Sequence, residues 1–247
     1  MRLSFAVGAV ALFLSSSAVA QTTVIHAGHL LDRPGQPPRG PSSIFIEDGR
    51  IARVESGFIA PPAGSSVIDL KDSFVLPGLI DSHVHLDSDA GGNAALLEEI
   101  TGSVPAKTLH TLANAKKTLL AGFTTVRNLG DGTGATMAVR DAAARGEVDA
   151  PRIIDAGRSI STTSGHMDST LSLAEDLHSA VPQENLCDGA DACSRAVRLQ
   201  VRRGVDLIKT ATTGGVNSRI GAGLGAQMFD GEAKAIVDTA RLYGKKV

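Results

Sequence analysis

The chain has 247 residues, of which 43% are hydrophobic and 20% charged, and a formal net charge of −2. This is the composition of an ordinary globular protein. With charge near zero and no long runs of one sign, the sequence offers no electrostatic footprint for nucleic acid or for an anionic membrane.

Residues 1–20 open with Met1-Arg2, continue through an apolar stretch from Leu3 to Leu14, and end in Ala18-Val19-Ala20 before Gln21. A positive start, a short apolar centre and an Ala-x-Ala end describe a secretory signal peptide, and the apolar stretch is too short to anchor in a bilayer. A secreted or periplasmic protein beginning at Gln21 is therefore expected, with no membrane contact after cleavage.

Between Thr22 and about Asp72, short apolar runs alternate with turn residues: Thr23 to His26, Ser43 to Glu47 and Arg50 to Val54. The Asp48-Gly49 pair between the last two is a strong hairpin signal. Residues 21–73 read as a small β-sheet unit.

From Phe74 to Val247 the rhythm becomes strand, loop, helix. Candidate strands are Phe74 to Leu86, Phe123 to Leu129, Arg152 to Ser159 and Val205 to Thr212. Helical spacing predicts helices over Pro105 to Leu120 and over Asp191 to Arg203, the latter with Cys193, Val197 and Val201 on one face. A last helix is expected from an N-cap at Asp230 to a stop at Gly244. Such a sequence of units predicts a parallel α/β layout, either a barrel or a doubly wound sheet. The stretch from Ser161 to Asp191 is long for a connection, and long connections tend to be lids or binding loops.

Within that stretch Cys187 and Cys193 lie six apart in a polar loop. In an oxidising compartment a local disulfide is expected. No further Cys or His clusters with them to favour zinc, and two free thiols are the remaining alternative.

The most informative stretch is Leu76-Pro77-Gly78-Leu79-Ile80-Asp81-Ser82-His83-Val84-His85. Successive strand residues point to opposite faces, so His83 and His85 share one. Phe74, Val75, Leu76, Leu79 and Ile80 leave too few polar positions for a solvated strand. Two imidazoles converging near the end of a parallel strand are read as metal ligands, with a pair of surface histidines as the alternative. In the fourth candidate strand, alternation puts Val205, Leu207, Lys209 and Ala211 on one side. An ammonium facing a barrel axis is pushed toward its neutral form, the alternative being a lysine at a strand end that reaches out to solvent. A neutral amine adds carbon dioxide and releases a proton, giving an anionic carbamate suited to bridging two metals.

Together with Gly122-Phe123-Thr124-Thr125-Val126-Arg127 and Asp206-Leu207-Ile208-Lys209, this element resembles the metal-dependent amidohydrolase superfamily. The likeness is greatest to its imidazolonepropionase-like and Xaa-Pro dipeptidase-like branch, which includes secreted carboxypeptidases and ochratoxin-hydrolysing enzymes. The resemblance implies that residues 74–247 form the first four strand-helix units of a (β/α)8 TIM-like barrel, preceded by part of a small β-sandwich domain. It implies that His83 and His85 bind one metal and that carboxylated Lys209 bridges it to a second, giving two divalent ions, read as zinc, per full-length subunit. It further implies that a metal-activated hydroxide hydrolyses the C–N bond of a small-molecule amide, a dipeptide or an N-acyl amino acid. His166, in Ser164-Gly165-His166, matches a family position that faces substrate.

Arg127-Asn128 departs from the Arg-Asp common in relatives. The family's later metal-binding histidines and its eighth-strand Asp, the expected catalytic carboxylate, have no counterpart up to Val247. The chain is accordingly expected to be a piece of a protein about twice its mature length, poorly soluble and inactive when expressed alone. A one-metal cyclic-amide hydrolase and a catalytically dead binding or scaffold module are the competing readings, and a homo-oligomer of the full-length protein is left open.

Overall fold

The computed structural model describes residues 22–89, 91–216 and 223–247, so the leader read from residues 1–20 lies outside the described residues. The chain divides into two compact units, Met1–Pro77 and Gly78–Val247.

The first unit holds four strands, β1 (Thr23–Leu30), β2 (Ser42–Glu47), β3 (Arg50–Ser56) and β4 (Ser66–Val75). They form one sheet in the order β3-β2-β1-β4. The expected hairpin joins β2 to β3 through the pair Glu47 and Arg50. Asp48 and Gly49 both have positive φ, 50° and 71°, the backbone that a two-residue hairpin turn with the right twist requires. β1 runs antiparallel to β2 and parallel to β4. Local pattern did not reveal β4, because its partner lies across a crossover. Phe74 and Val75 pair with His29 and Leu30, so they close β4 instead of opening the next strand as expected. Ala27, Leu30 and Ile44 form the core. At the bulge of β1 the backbones approach so closely that a Cβ on Gly28 would stand 1.9 Å from the Lys71 carbonyl oxygen. Among the described residues this unit is a single sheet, and the second sheet that a sandwich requires is not among them.

In the second unit, β5 (Leu79–Val84), β6 (Phe123–Asn128) and β7 (Arg152–Asp155) form a parallel sheet in chain order. The helices are α1 (Gly92–Thr101), α2 (Val104–Leu120), α3 (Ala135–Ala144), α4 (Ala190–Arg203) and α5 (Asp230–Leu242). Ser103 caps α2 by accepting the Ala106 N–H, and Pro105 sits in the first turn, where its missing N–H costs nothing. Gly204, at φ 89°, ends α4. Asp230 is the first helical residue of α5 and not its cap. The preceding Phe229 N–H is satisfied by the Glu232 carboxylate. Neither α1 nor α3 was among the expected helices. Asp131 starts α3 by accepting the N–H groups of Thr133, Gly134 and Thr136. One core cluster gathers Leu86, Ala115, Val126, Val139 and Ile153. A second, built from α4, α5 and the segments beside them, includes Ile160, Val197, Val205, Ile208 and Ile236.

The expected strand Val205 to Thr212 shrinks to a single parallel bridge between Ile160 and Thr210. Its backbone still bonds to the neighbouring chain, the Asp206 N–H donating to the Asp155 carbonyl and the Ile160 N–H to the Lys209 carbonyl, but other partners interrupt the ladder. Asp206 uses its carboxylate to accept the Asp155 N–H, and the Ile208 N–H donates to Lys246. Val205 and Ile208, three apart, both bury in the α4 and α5 core, so strict alternation does not hold across this segment. The third strand also stops early, at Asp155, two residues before Gly157 turns the chain at φ 60°. The long stretch after it contains two short 3-10 helices, Ser169–Ser172 and Glu175–Ala180.

Candidate metal centre

His83 lies near the end of β5 and His85 just beyond it, and their ring centroids stand 5.4 Å apart with planes tilted by 57°. The register between β5 and β6 shifts between Asp81 and Val84, a bulge of the kind that re-aims side chains at sites. The bulge is held by Asp81, whose carboxylate accepts the His83 N–H, and by Arg127, which donates to the Ser82 carbonyl at 2.7 Å. His83 is an exposed residue, yet its ring is partly desolvated. That desolvation first, and then the positive charge of Lys209, His85 and Arg127, moves its pKa below the ordinary histidine value, against the opposing pull of Asp81. The structure thus brings Lys209 into electrostatic reach of His83 from a segment more than a hundred residues away in the chain.

Beneath the histidines, the ends of β5, β6 and β7 are stitched by buried polar groups. Asn128 accepts the Leu86 N–H on its Oδ1 at 3.0 Å and donates from its Nδ2 to the Gly130 carbonyl and to Asp155 Oδ2, each at 3.3 Å. Asp155 also accepts the Gly157 N–H. Burial pushes the Asp155 carboxyl up to about 7, aided by the nearby Asp131 and opposed by the Gly157 N–H, Arg140 and Asn128. Burial and Asp131 likewise raise Asp87.

A cleft of about 400 Å³ opens beside His85, and Asp87, Glu98, Lys107, Asp131 and Arg158 bring both signs of charge to its wall. Its volume lies in the range of small-molecule sites. His85 itself packs over the floor, where a Cβ on Gly130 would stand 3.2 Å from its Cε1. His166 is held differently: its N–H donates to Gln227 Oε1 at 2.9 Å, and its ring lies against Gly215, where an added Cβ would meet Cε1 at 2.4 Å. Cys187 and Cys193 have Cα atoms 4.7 Å apart and joined sulfurs, buried in the α4 and α5 core.

Residues 74–247 match the amidohydrolase family. The chain belongs to that family. It is 32% identical over 248 aligned positions to ochratoxinase of Aspergillus niger, covering 93% of this chain and 50% of that protein. Among solved structures, a Xaa-Pro dipeptidase with methionine bound in its active site aligns with a TM-score of 0.82 at 34% identity, over 91% of this chain and 55% of that one. The crystal structure of A. niger ochratoxinase aligns with a TM-score of 0.73 at 29% identity, over 91% of this chain and 54% of that one. The chain thus spans about half the length of the curated relatives it matches.

Amidohydrolases are generally metal-dependent, and the donors here suit a divalent ion. Two imidazoles converge from one strand end, and the lowered pKa of His83 keeps its nitrogen lone pair available at neutral pH. Among the described residues, no three His, Cys, Asp or Glu side chains converge in a metal-sized group. Sequence reasoning did not pick out Asp155 or Gln227 and noted Asn128 only as a departure from the family. The one local sign of Asp155 was a carboxylate ending an apolar strand, Arg152-Ile153-Ile154-Asp155.

Proposed function

We propose that the protein to which this chain belongs hydrolyses amide bonds in dipeptides or N-acyl amino acids, with His83, His85 and carboxylated Lys209 holding divalent metal, read as zinc, although such nitrogen and oxygen donors also accept manganese or cobalt. The observation that carries the reading is the pairing of the two imidazoles at one strand end, with the charge of Lys209 felt at His83. When bound, the metal acidifies water and polarises the scissile carbonyl. The chain's residues prepare the site: His83 stays neutral, Asn128 pins the backbone just after His85, and the cleft offers Lys107 to the carboxylate of a small acidic substrate, while Arg158 shapes its wall by donating to the Gly132 and Pro182 carbonyls. On the same reading the sheet β5-β6-β7 is the first arc of an eight-stranded barrel, His166 meets substrate from the loop after β7, and residues 1–20 direct export.

The test is metal analysis together with a panel of dipeptides, N-acyl amino acids and cyclic amides, applied to the protein and to His83→Ala and Lys209→Ala. Loss of metal and turnover in both variants is expected. Retention of both properties in both variants refutes the proposal. Turnover confined to cyclic amides replaces the substrate class.

A further inference from the structure

His85 and Lys209 sit on segments that are not neighbours. His85 follows β5, at one edge of the order β5-β6-β7, whereas Lys209 lies in the segment that meets the chain beyond β7 at the Ile160 and Thr210 bridge. A buried polar line connects them. The Leu86 N–H donates to Asn128 Oδ1 at 3.0 Å, and Asn128 Nδ2 donates to Asp155 Oδ2 at 3.3 Å. The Asp155 N–H donates to Asp206 Oδ2 at 2.9 Å, and the Asp206 N–H returns to the Asp155 carbonyl at 2.8 Å. Asn128 and Asp155 are both 0% exposed, so water cannot substitute for a lost partner.

The polarity of this line is determined by its acid. An ionised carboxylate only accepts, so Asn128 must turn its NH2 toward Asp155, which leaves its oxygen for the Leu86 N–H. An asparagine facing any donor at that point would have to turn over and present NH2 to N–H.

We propose that Asp155 is a positioning residue for the metal centre: by orienting Asn128 it holds the backbone at His85, and by its main-chain pair with Asp206 it ties that backbone to the segment carrying Lys209. The part concerning metal rests on His83, His85 and Lys209 being ligands; the part concerning His85 does not.

The experiment uses two readouts at about pH 8.5, above the titration of Asp155 near 7. One is the histidine Cε1–H NMR spectrum of the metal-free protein, and the other is cobalt(II) titration followed by its visible absorption. In Asp155→Asn, the one oxygen left at residue 155 stays on the Gly157 N–H, the shorter of its two bonds at 2.5 Å against 3.3 Å, so its NH2 faces Asn128 and either one NH2 opposes another or Asn128 turns over and Leu86 loses its acceptor. The His85 resonance is expected to move and cobalt affinity to fall about 10- to 100-fold, the usual effect of losing a partner behind a ligand. The exchanged pair Asn128→Asp with Asp155→Asn lets residue 128 accept from both Leu86 and residue 155, at the cost of the Gly130 contact. It is expected to return His85 toward its original resonance and to recover most of the affinity. A purely structural role would lower thermal stability in both variants and leave the His85 resonance in place. Asn128→Ala, which removes the Leu86 acceptor directly, serves if Asp155→Asn does not fold. An unmoved His85 resonance in a folded variant overturns the inference. If His83→Ala also leaves cobalt binding unchanged, the metal reading fails, while the resonances still decide whether Asp155 positions His85.

Discussion

The buried carboxyl of Asp155 makes the stability of this protein depend on pH in an unusual direction. In the unfolded chain an aspartate titrates near its ordinary 3.8, whereas in the fold burial pushes Asp155 up to about 7. Between those values the native state holds a proton that the unfolded state has released. Stability from this group is therefore fully present below about pH 4 and is lost as pH rises through about 7. A shift of that size corresponds to roughly 4 kcal/mol, since each unit is worth about 1.4 kcal/mol. Most aspartates paired in a native state do the opposite and stabilise as pH rises. The assay is urea unfolding of the protein and of Asp155→Asn at several pH values between about 5 and 8, with the difference in unfolding free energy plotted against pH. Asparagine does not titrate, so the variant should lose the downward slope and gain relative to wild type as pH rises. A difference that stays flat across this range would refute the reasoning and show that Asp155 is ionised throughout.

Gly215→Ala should displace the His166 ring, because the new Cβ would stand 2.4 Å from Cε1. The expected result is a shifted His166 resonance and a raised KM for the best substrate with kcat little changed; an unmoved resonance would show that the loop absorbs the methyl group. Replacing both Cys187 and Cys193 with alanine, which removes the short loop closed by their bond, should lower unfolding free energy by about 2 kcal/mol. Wild type should gain mass on alkylation only after reduction, and alkylation without reductant would disprove the bond.

Much of this protein is legible locally. The hairpin at Asp48-Gly49 follows from two residues that tolerate positive φ. The helices α4 and α5 follow from apolar spacing that matches the faces they bury, as with Cys193 and Val197 or Ile236 and Ala240, whereas α2 forms where expected but buries Thr111, Asn114 and Ala115 and leaves Leu109 exposed. The pairing of His83 with His85 follows from a period of two, and the rings do converge. These features are determined by residues within a turn or two of each other, where backbone geometry alone relates them.

What failed to be legible depended on partners far away in the chain. The segment from Val205 to Thr212 has the composition of a strand, but the Asp206 carboxylate captures a ladder position and Lys246 takes the Ile208 N–H. The strand β4 exists because β1 offers it a parallel edge. Asn128 looked like a simple departure from a family pattern, and only the fold shows that it joins Leu86 to Asp155 across three strands. The sequence by itself determined which chemistry is present: two imidazoles in one register, a lysine beyond two aliphatics, and two cysteines in one loop. Only the tertiary structure decided which of these groups meet, because burying a polar group obliges it to find a partner, and that partner need not be near it in sequence.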